Sequence, residues 1–384
     1  MKFFRYPLLF CFVWSCLGSP FVLAGSLTSS SEQERLEAAL AHYEELAKKD
    51  PWPLIPSGPK ILINDRDDRV VILRKRLYAE GYLEKQSSAE PHFFDAEVEQ
   101  ALRDFQETHG LLPDGALGKF TTVALNAPAS WRVCQLKIAL QRLSTSPLVK
   151  EGRYLVVNIP DFSLTLFEGD KPTLHHRVIV GQRTKQTPLL TAQVSYLVIN
   201  PDWNVPDDIA VKEELGKIQK DSNYLSRKKM KLISEEGEVD PSTIDWSKMQ
   251  QEDFKYRIVQ SPGAGNALGK IKFIFPNKYD VYLHDTPDHS LFEREDRALS
   301  HGCVRVDKPL DLATYLLKED PNWDRDKIQK TIISGKQKVV PLATKVPIYI
   351  VYVTSWVDPD GTIQFREDLY KYDKGMAKTV CNHQ

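Results

Sequence analysis

The sequence predicts an α+β chain, mainly β in its larger part, with a small helical module before it. Three observations carry this. From residue 153 onward, short runs rich in β-branched and aromatic residues recur between turn signals, at 154–159, 162–167, 176–180, 194–199, 271–275 and 281–284. Short strands at that spacing suit a β sandwich or barrel rather than a parallel sheet with crossover helices. Between 61 and 127, apolar residues instead recur at helical spacing. Between the strands stands a charged stretch, 202–256, which carries Trp203, Tyr224 and Trp246 and is too aromatic for a disordered linker.

The first residues read as an export signal. Lys2 and Arg5 form a basic start, residues 8–17 are mostly apolar, and Val22 and Ala24 satisfy the small-residue rule for cleavage after Ala24. The apolar run is too short for a comfortable membrane span. Lipid attachment at Cys16 is the alternative, because Val13-Trp14-Ser15-Cys16 loosely matches a lipoprotein box. Either way the mature chain is expected outside the cytoplasm, in the periplasm or cell envelope. A length of 384 residues is expected to make two or three folding units, at about 150 residues each. The formal net charge is −1, so charge supplies no argument for nucleic acid.

Residues 25–60 hold a helix at 32–49, with Leu36, Ala39, Leu40, Tyr43 and Leu46 on one side, and then a connector stiffened by Pro51, Pro53, Pro56 and Pro59. The 61–127 module predicts one helix through Val70, Leu73, Leu77 and Tyr78, ended by Gly81. A second is capped by Asp95 and lined by Val98, Leu102 and Phe105; a third lies around 121–125. A connecting helix follows within 128–152. The β body is expected over 153–345, interrupted by the insert at 202–256, with strands resuming at 256–260. Residues 346–384 read as a C-terminal hairpin and tail, with Asp360-Gly361 as its turn signal.

The candidate chemistry lies in H-D-T-P-D-H-S-L-F-E-R-E-D-R-A-L-S-H-G-C-V-R-V, where Cys303 follows His284 by nineteen residues. A thiolate attacks and a thiol does not, so a nearby base must take the proton, and imidazole suits that task. Cys303 is the expected nucleophile and His284 the base and later acid. His284 closes an apolar strand, and Gly302 lets the chain turn so that its N–H faces an oxyanion. The group that orients the imidazole is either a backbone carbonyl or Asp285. A buried structural thiol beside a turn glycine is the other reading of His-Gly-Cys alone. Cleavage after Ala24 leaves Cys134, Cys303 and Cys381, an odd number. Pairing of Cys134 with Cys381 would keep Cys303 reduced; the alternative is that both are unpaired buried thiols. Arg305, His301, Tyr282 and Trp203 are candidate substrate-binding residues. For Arg305 the other reading is a tie to the cysteine loop, for Tyr282 core packing, and for Trp203 an anchor within the insert. No His/Cys spacing suggests a metal, and no cofactor is expected.

Two resemblances sharpen this. The run R-V-V-I-L-R-K-R-L-Y-A-E-G-Y-L, followed by F-D-A-E-V-E-Q-A-L-R-D-F-Q-E-T-H-G-L-L-P-D-G, is similar to the three-helix peptidoglycan-binding module of bacterial wall enzymes. The run from His284 through Ser300, His301, Gly302, Cys303, Val304 and Arg305, with fifteen residues at 285–299 as spacer, resembles the signature of the cell-wall L,D-transpeptidases. The likeness extends from Tyr154 to about Phe365 and includes N-P-D-W-N-V-P before an active-site capping insert. It implies attack by Cys303 on a tetrapeptide stem, loss of D-Ala, and a thioester that a second stem's amine resolves into a 3→3 cross-link. Water as acceptor would make the enzyme an L,D-carboxypeptidase or hydrolase, and a non-catalytic wall-binding protein is the third reading. The implied partners are peptidoglycan stem peptides and glycan, with D,D-carboxypeptidases and glycan synthases as collaborators.

Overall fold

A computed structural model describes residues 31–49, 52–86, 88–145 and 151–381. The expected export signal and its two cysteines lie outside the described residues. The chain divides into two compact units: one takes the helices up to Leu140 together with Ser355–Phe365, the other Gln141–Thr354 with Arg366–Gln384. No described helix is long and apolar enough to cross a membrane.

The first unit is built on α1 (Glu32–Lys48), α2 (Arg69–Ala79), α3 (Ala96–Thr108), α4 (Lys119–Leu125) and most of α5 (Ala129–Thr145). Local chemistry sets the ends. Ser31 and Glu34 form a reciprocal capping box at α1, and Asp95 caps α3 through Val98 N–H at 3.0 Å. Val70, Leu73, Leu77, Val98, Leu102, Phe105 and Leu125 meet in one core. Tyr78, expected on the apolar side of α2, is instead 46% exposed.

The turn after α3 is held by one buried side chain. Gln106 donates to Asp114 Oδ1 (2.9 Å), Ala116 O (3.1 Å) and Thr121 Oγ1 (3.0 Å), and accepts from Gly115 N–H (2.8 Å). The Phe-Gln pair and the Asp-Gly turn are therefore one structural device.

The C-terminal hairpin, Ser355–Val357 against Ile363–Phe365, packs in this helical unit. Phe365 meets the Tyr43 ring edge-on at 5.1 Å and lies under the Arg132 guanidinium at 4.6 Å. The expectation of one tail from 346 onward needs correction here, because Lys338–Val351 is a single long strand of the other unit.

In chain order the strands of the second unit are β1 (Arg153–Asn158), β2 (Ser163–Glu168), β3 (Lys171–Gly181), β4 (Leu190–Ile199), β5 (Trp203–Asn204), β6 (Met230–Ser234), β7 (Gly237–Val239), β8 (Arg257–Gln260), β9 (Ile271–Ile274), β10 (Leu283–His284), β11 (Ala298–Ser300), β12 (Val304–Val306) and β13 (Lys338–Val351). The main sheet runs β11-β3-β12-β10-β9-β4-β13-β1-β2. β3 also pairs with β2, so the two ends meet through one long strand. The mainly β body expected from the sequence is present, its layers joined by β3. Its core alternates along each strand: Leu155 and Val157, Leu164 and Leu166, Val178 and Val180, Ile271 and Phe273, Val304 and Val306.

The insert is a small folded body with its own core of Val205, Leu215, Ile218, Leu225, Leu232, Trp246 and Ile258. It holds α6 (Asp207–Ile209), a π-turn at Ala210–Glu214, α7 (Leu215–Lys220), α8 (Tyr224–Arg227) and the sheet β5-β8-β6-β7. β8 was expected to resume the main sheet. It sits inside the insert's sheet, because its partners are β6 and Trp203–Asn204.

Candidate active site

Three neighbouring strands assemble the site. β10 pairs parallel with β12, placing His284 opposite Arg305, and antiparallel with β9, placing His284 opposite Lys272. Apolar residues alternate with polar ones on each: Ile271 and Phe273, Leu283, and Val304 and Val306 enter the core. By the two-residue period, Lys272, His284 and Arg305 share the other face in one row, with Tyr282 and Cys303 one step before. The sequence-predicted pair thus comes together on adjacent strands. The Tyr282 and His284 rings meet edge-on at 5.6 Å, as their spacing implies.

Cys303 is the free thiol among the described residues, and Cys134 and Cys381 are disulfide-bonded. Cys303 is half-buried, and its sulfur lies 3.9 Å from Asp280 O. Burial pushes its pKa up; hydrogen bonds from the Tyr282 N–H and hydroxyl, and the charges of Lys272 and Arg305, pull against that without winning.

His284 is buried, and its Nδ1 donates to Asp285 O at 2.6 Å. That carbonyl can only accept, so the proton sits on Nδ1 and the lone pair on Nε2. The orienting group is thus the carbonyl, not the Asp285 carboxylate, whose Oδ2 accepts the Lys270 N–H at 2.7 Å. Burial lowers the His284 pKa to about 3, helped by Arg305 and Lys272 and opposed by the Asp285 bond. At neutral pH the resting pair is thiol and neutral imidazole.

The turn before Cys303 needs glycine: Gly302 has φ +116°. Thr187 Oγ1 donates to Gly302 O and accepts from Gly181 N–H, both at 2.8 Å. Ser300 Oγ accepts the Gly302 N–H at 3.1 Å and donates to Cys303 O. Gly302 therefore departs from its expected role, because its N–H is directed at Ser300 rather than into the site. Neither Thr187, Ser300 nor Lys272 was assigned a role from sequence. The segment G-Q-R-T-K-Q-T-P at 181–188 braces the cysteine turn through Thr187.

His301 was expected to line the substrate site. Its Nε2 meets Glu213 Oε1 on the insert at 2.5 Å, and Lys185 Nζ reaches the same oxygen at 3.2 Å. Burial raises the Glu213 pKa, but these two hydrogen bonds outweigh it and hold the carboxyl below its usual range. Trp203 lies in the insert's sheet against that body's core, which favours the anchoring reading. Among the described residues no group of three or more His, Cys, Asp or Glu forms a metal site.

Gly269 supports the site from behind. It has φ +62°, and a Cβ there would come within 2.4 Å of the Asp285 carboxylate. Gly269→Ala is expected to cost about 1–3 kcal/mol, read as a lower urea midpoint. Gly265→Ala in the same loop, where a Cβ meets nothing within 4 Å, should leave that midpoint nearly in place.

A reduced thiol and a neutral imidazole carried on paired strands, with a carbonyl fixing the tautomer, suit a cysteine nucleophile and its base. Residues 152–362 match the L,D-transpeptidase catalytic domain, and the chain belongs to that family. Residues 66–125 match the "Putative peptidoglycan binding domain". A protein of Haemophilus influenzae named "Putative L,D-transpeptidase" is 37% identical over 249 residues, which is 65% of this chain and 50% of that protein. The chain thus spans about half the length of that curated relative. Two solved L,D-transpeptidase structures are also similar. One, from Xylanimonas cellulosilytica, has 14% identity and a TM-score of 0.24, covering 79% of this chain and 100% of that one. The other, from Stackebrandtia nassauensis, has 15% identity and a TM-score of 0.27, covering 78% and 96%.

Proposed function

We propose that this chain is a peptidoglycan L,D-transpeptidase acting outside the cytoplasm, forming 3→3 cross-links between stem peptides. The observation that carries this is the placement of Cys303, Tyr282 and His284 on one face of adjacent strands, within a catalytic domain of that family. His284 Nε2 takes the thiol proton, and the sulfur attacks the carbonyl between the third stem residue and D-Ala. The D-Ala amine leaves with the proton from His284, and a thioester remains. The amine of a second stem attacks it, gives its proton to His284, and releases the thiolate.

Because the Gly302 N–H is engaged by Ser300, the Cys303 N–H is the donor assigned to the oxyanion. The helical unit binds glycan and holds the catalytic unit at the wall. An open cleft there, of roughly 540 Å³, is walled by Arg74, Lys75, Tyr78 and Lys85. D,D-carboxypeptidases that trim stems to tetrapeptides, and glycan synthases, are the collaborators this chemistry calls for.

Incubation with disaccharide-tetrapeptide followed by mass spectrometry tests the reading. Dimers lacking one D-Ala are the expected product. Tripeptide alone would make the enzyme an L,D-carboxypeptidase, and unchanged substrate would leave a wall-binding protein.

A further inference from the structure

Lys272 is one of the residues of the catalytic face that the mechanism leaves unused. It stands opposite His284 across the β9–β10 pair, and its Nζ lies 3.7 Å from the centre of the Tyr282 ring. Tyr282 in turn stands level with Cys303 at the start of the β10–β12 pair, where its carbonyl accepts the Val304 N–H at 3.1 Å. The ammonium is therefore packed on the nucleophile's own neighbour. No carboxylate among the described residues lies within ion-pair distance of it; the charges that act on it are that of the Cys303 sulfur, once ionised, and then that of Asp280. Arg305, on the other side of His284, likewise forms no ion pair among the described residues, and its Nε is buried without a partner. Two partly buried cations without a close counter-charge are costly unless something anionic completes them. A structural lysine at this depth would be expected to carry a carboxylate partner.

We infer that Lys272 reads a carboxylate on the acyl donor, the free C-terminal carboxylate of the residue that leaves. In a tetrapeptide donor that carboxylate carbon is three bonds from the carbonyl under attack, so it lies within about 4 Å of it. A carbonyl placed in line with the sulfur, at about 3–3.5 Å, brings the carboxylate to the rim where the Tyr282 ring and the ammonium meet. A donor extended by another residue has an amide at that place and leaves the ammonium unpaired. Lys272 is thus a specificity residue that selects tetrapeptide over pentapeptide stems. The inference rests on the transpeptidase reading for the identity of the donor. The cation's preference for an anionic ligand at Cys303 is measurable without it.

The experiment compares alkylation of Cys303 by iodoacetate and by iodoacetamide, which differ in a carboxylate against a neutral amide. In both reactions the sulfur displaces iodide, forms one S–C bond and loses the thiol proton to solvent. Any effect of Lys272 on thiolate fraction acts on both reagents alike and cancels in the ratio of rates. Lys272→Gln is expected to lower the iodoacetate-to-iodoacetamide ratio by at least about tenfold, the worth of a hydrogen bond to a charged group. Lys272→Arg is expected to keep most of the preference, which guards against a folding artefact. An unchanged ratio in Lys272→Gln overturns the inference.

The second arm uses tetrapeptide donors with diaminopimelate as third residue, amidated either at the terminal carboxylate or at the side-chain carboxylate of that third residue. Wild type should discriminate against the terminal amide, and Lys272→Gln should lose that discrimination. Dependence of Lys272 on the side-chain carboxylate instead would overturn the assignment to the terminus. Failure of wild type to turn over any donor would refute the transpeptidase reading, while the alkylation ratio still decides the role of Lys272.

Discussion

Cys303→Ala is expected to abolish product formation, by about 10⁴-fold or more, while the fold survives. The magnitude follows from the role: without the sulfur there is no acyl-enzyme, and the remaining groups can only orient a substrate that nothing attacks. The survival of the fold follows from how the turn is held. The hydrogen bonds that shape it use the Gly302 carbonyl, bonded by Thr187, and the Cys303 carbonyl, bonded by Ser300. The sulfur faces the site and supports none of them, and the disulfide-bonded Cys134 and Cys381 are separate from it. The checks are mass spectrometry of tetrapeptide digests and a thermal melt, whose midpoint should move by no more than a few degrees. Turnover retained in this variant would remove Cys303 from the reaction.

The two ends of this site were not equally legible in the sequence. Cys303 and His284 could be read because each sits beside an apolar strand whose alternation sets a face: V-Y-L-H and V-R-V. Tyr282 followed from the same period. Lys272 obeys the same alternation within I-K-F, but nothing local distinguishes it from the many surface lysines. Only the pairing of β9 with β10 puts it opposite His284, and pairing between strands is a long-range property. Gly302 shows the converse failure. Its need for glycine was legible, since φ is +116°, but the direction of its N–H depends on Ser300 folding back over the turn. His301 was ambiguous for a similar reason: its partner Glu213 is 88 residues away, on the insert.

At the level of fold, helices were readable from their periodicity and caps, and the strand character of the main body from its alternating runs. The assignment of strands to sheets was not. β8 carries the same kind of pattern as β9 yet belongs to the insert. Ser355–Phe365 follows directly from the main sheet yet folds with the helices, because Phe365 finds its burial against Tyr43 and under Arg132. Local pattern names the element; which apolar surface covers it is decided elsewhere in the chain.

His284→Gln is expected to produce the second large effect, and in two separable ways. Loss of the base and acid should lower turnover by about 10²–10⁴-fold. Glutamine can still donate toward the Asp285 carbonyl, so the deficit reports proton transfer rather than collapse of the strand end. The second effect is on stability against pH. The buried imidazole has a pKa of about 3, against 6.5 for a free one. Between those values the unfolded chain binds a proton that the native state refuses, so stability rises with pH across that window. The contribution is whole above about 6.5, is lost as pH falls toward 3, and changes no further below that. Wild type should therefore lose more of its urea midpoint between pH 7 and pH 4 than His284→Gln does. An equal loss in both proteins would mean that His284 is not held neutral. The same ionisation shapes catalysis: an imidazole already neutral in mild acid leaves no acid limb near pH 6.5 in the kcat/KM of the free enzyme. Acid sensitivity with an apparent pKa near 6.5 would instead require a base that is charged in the resting site.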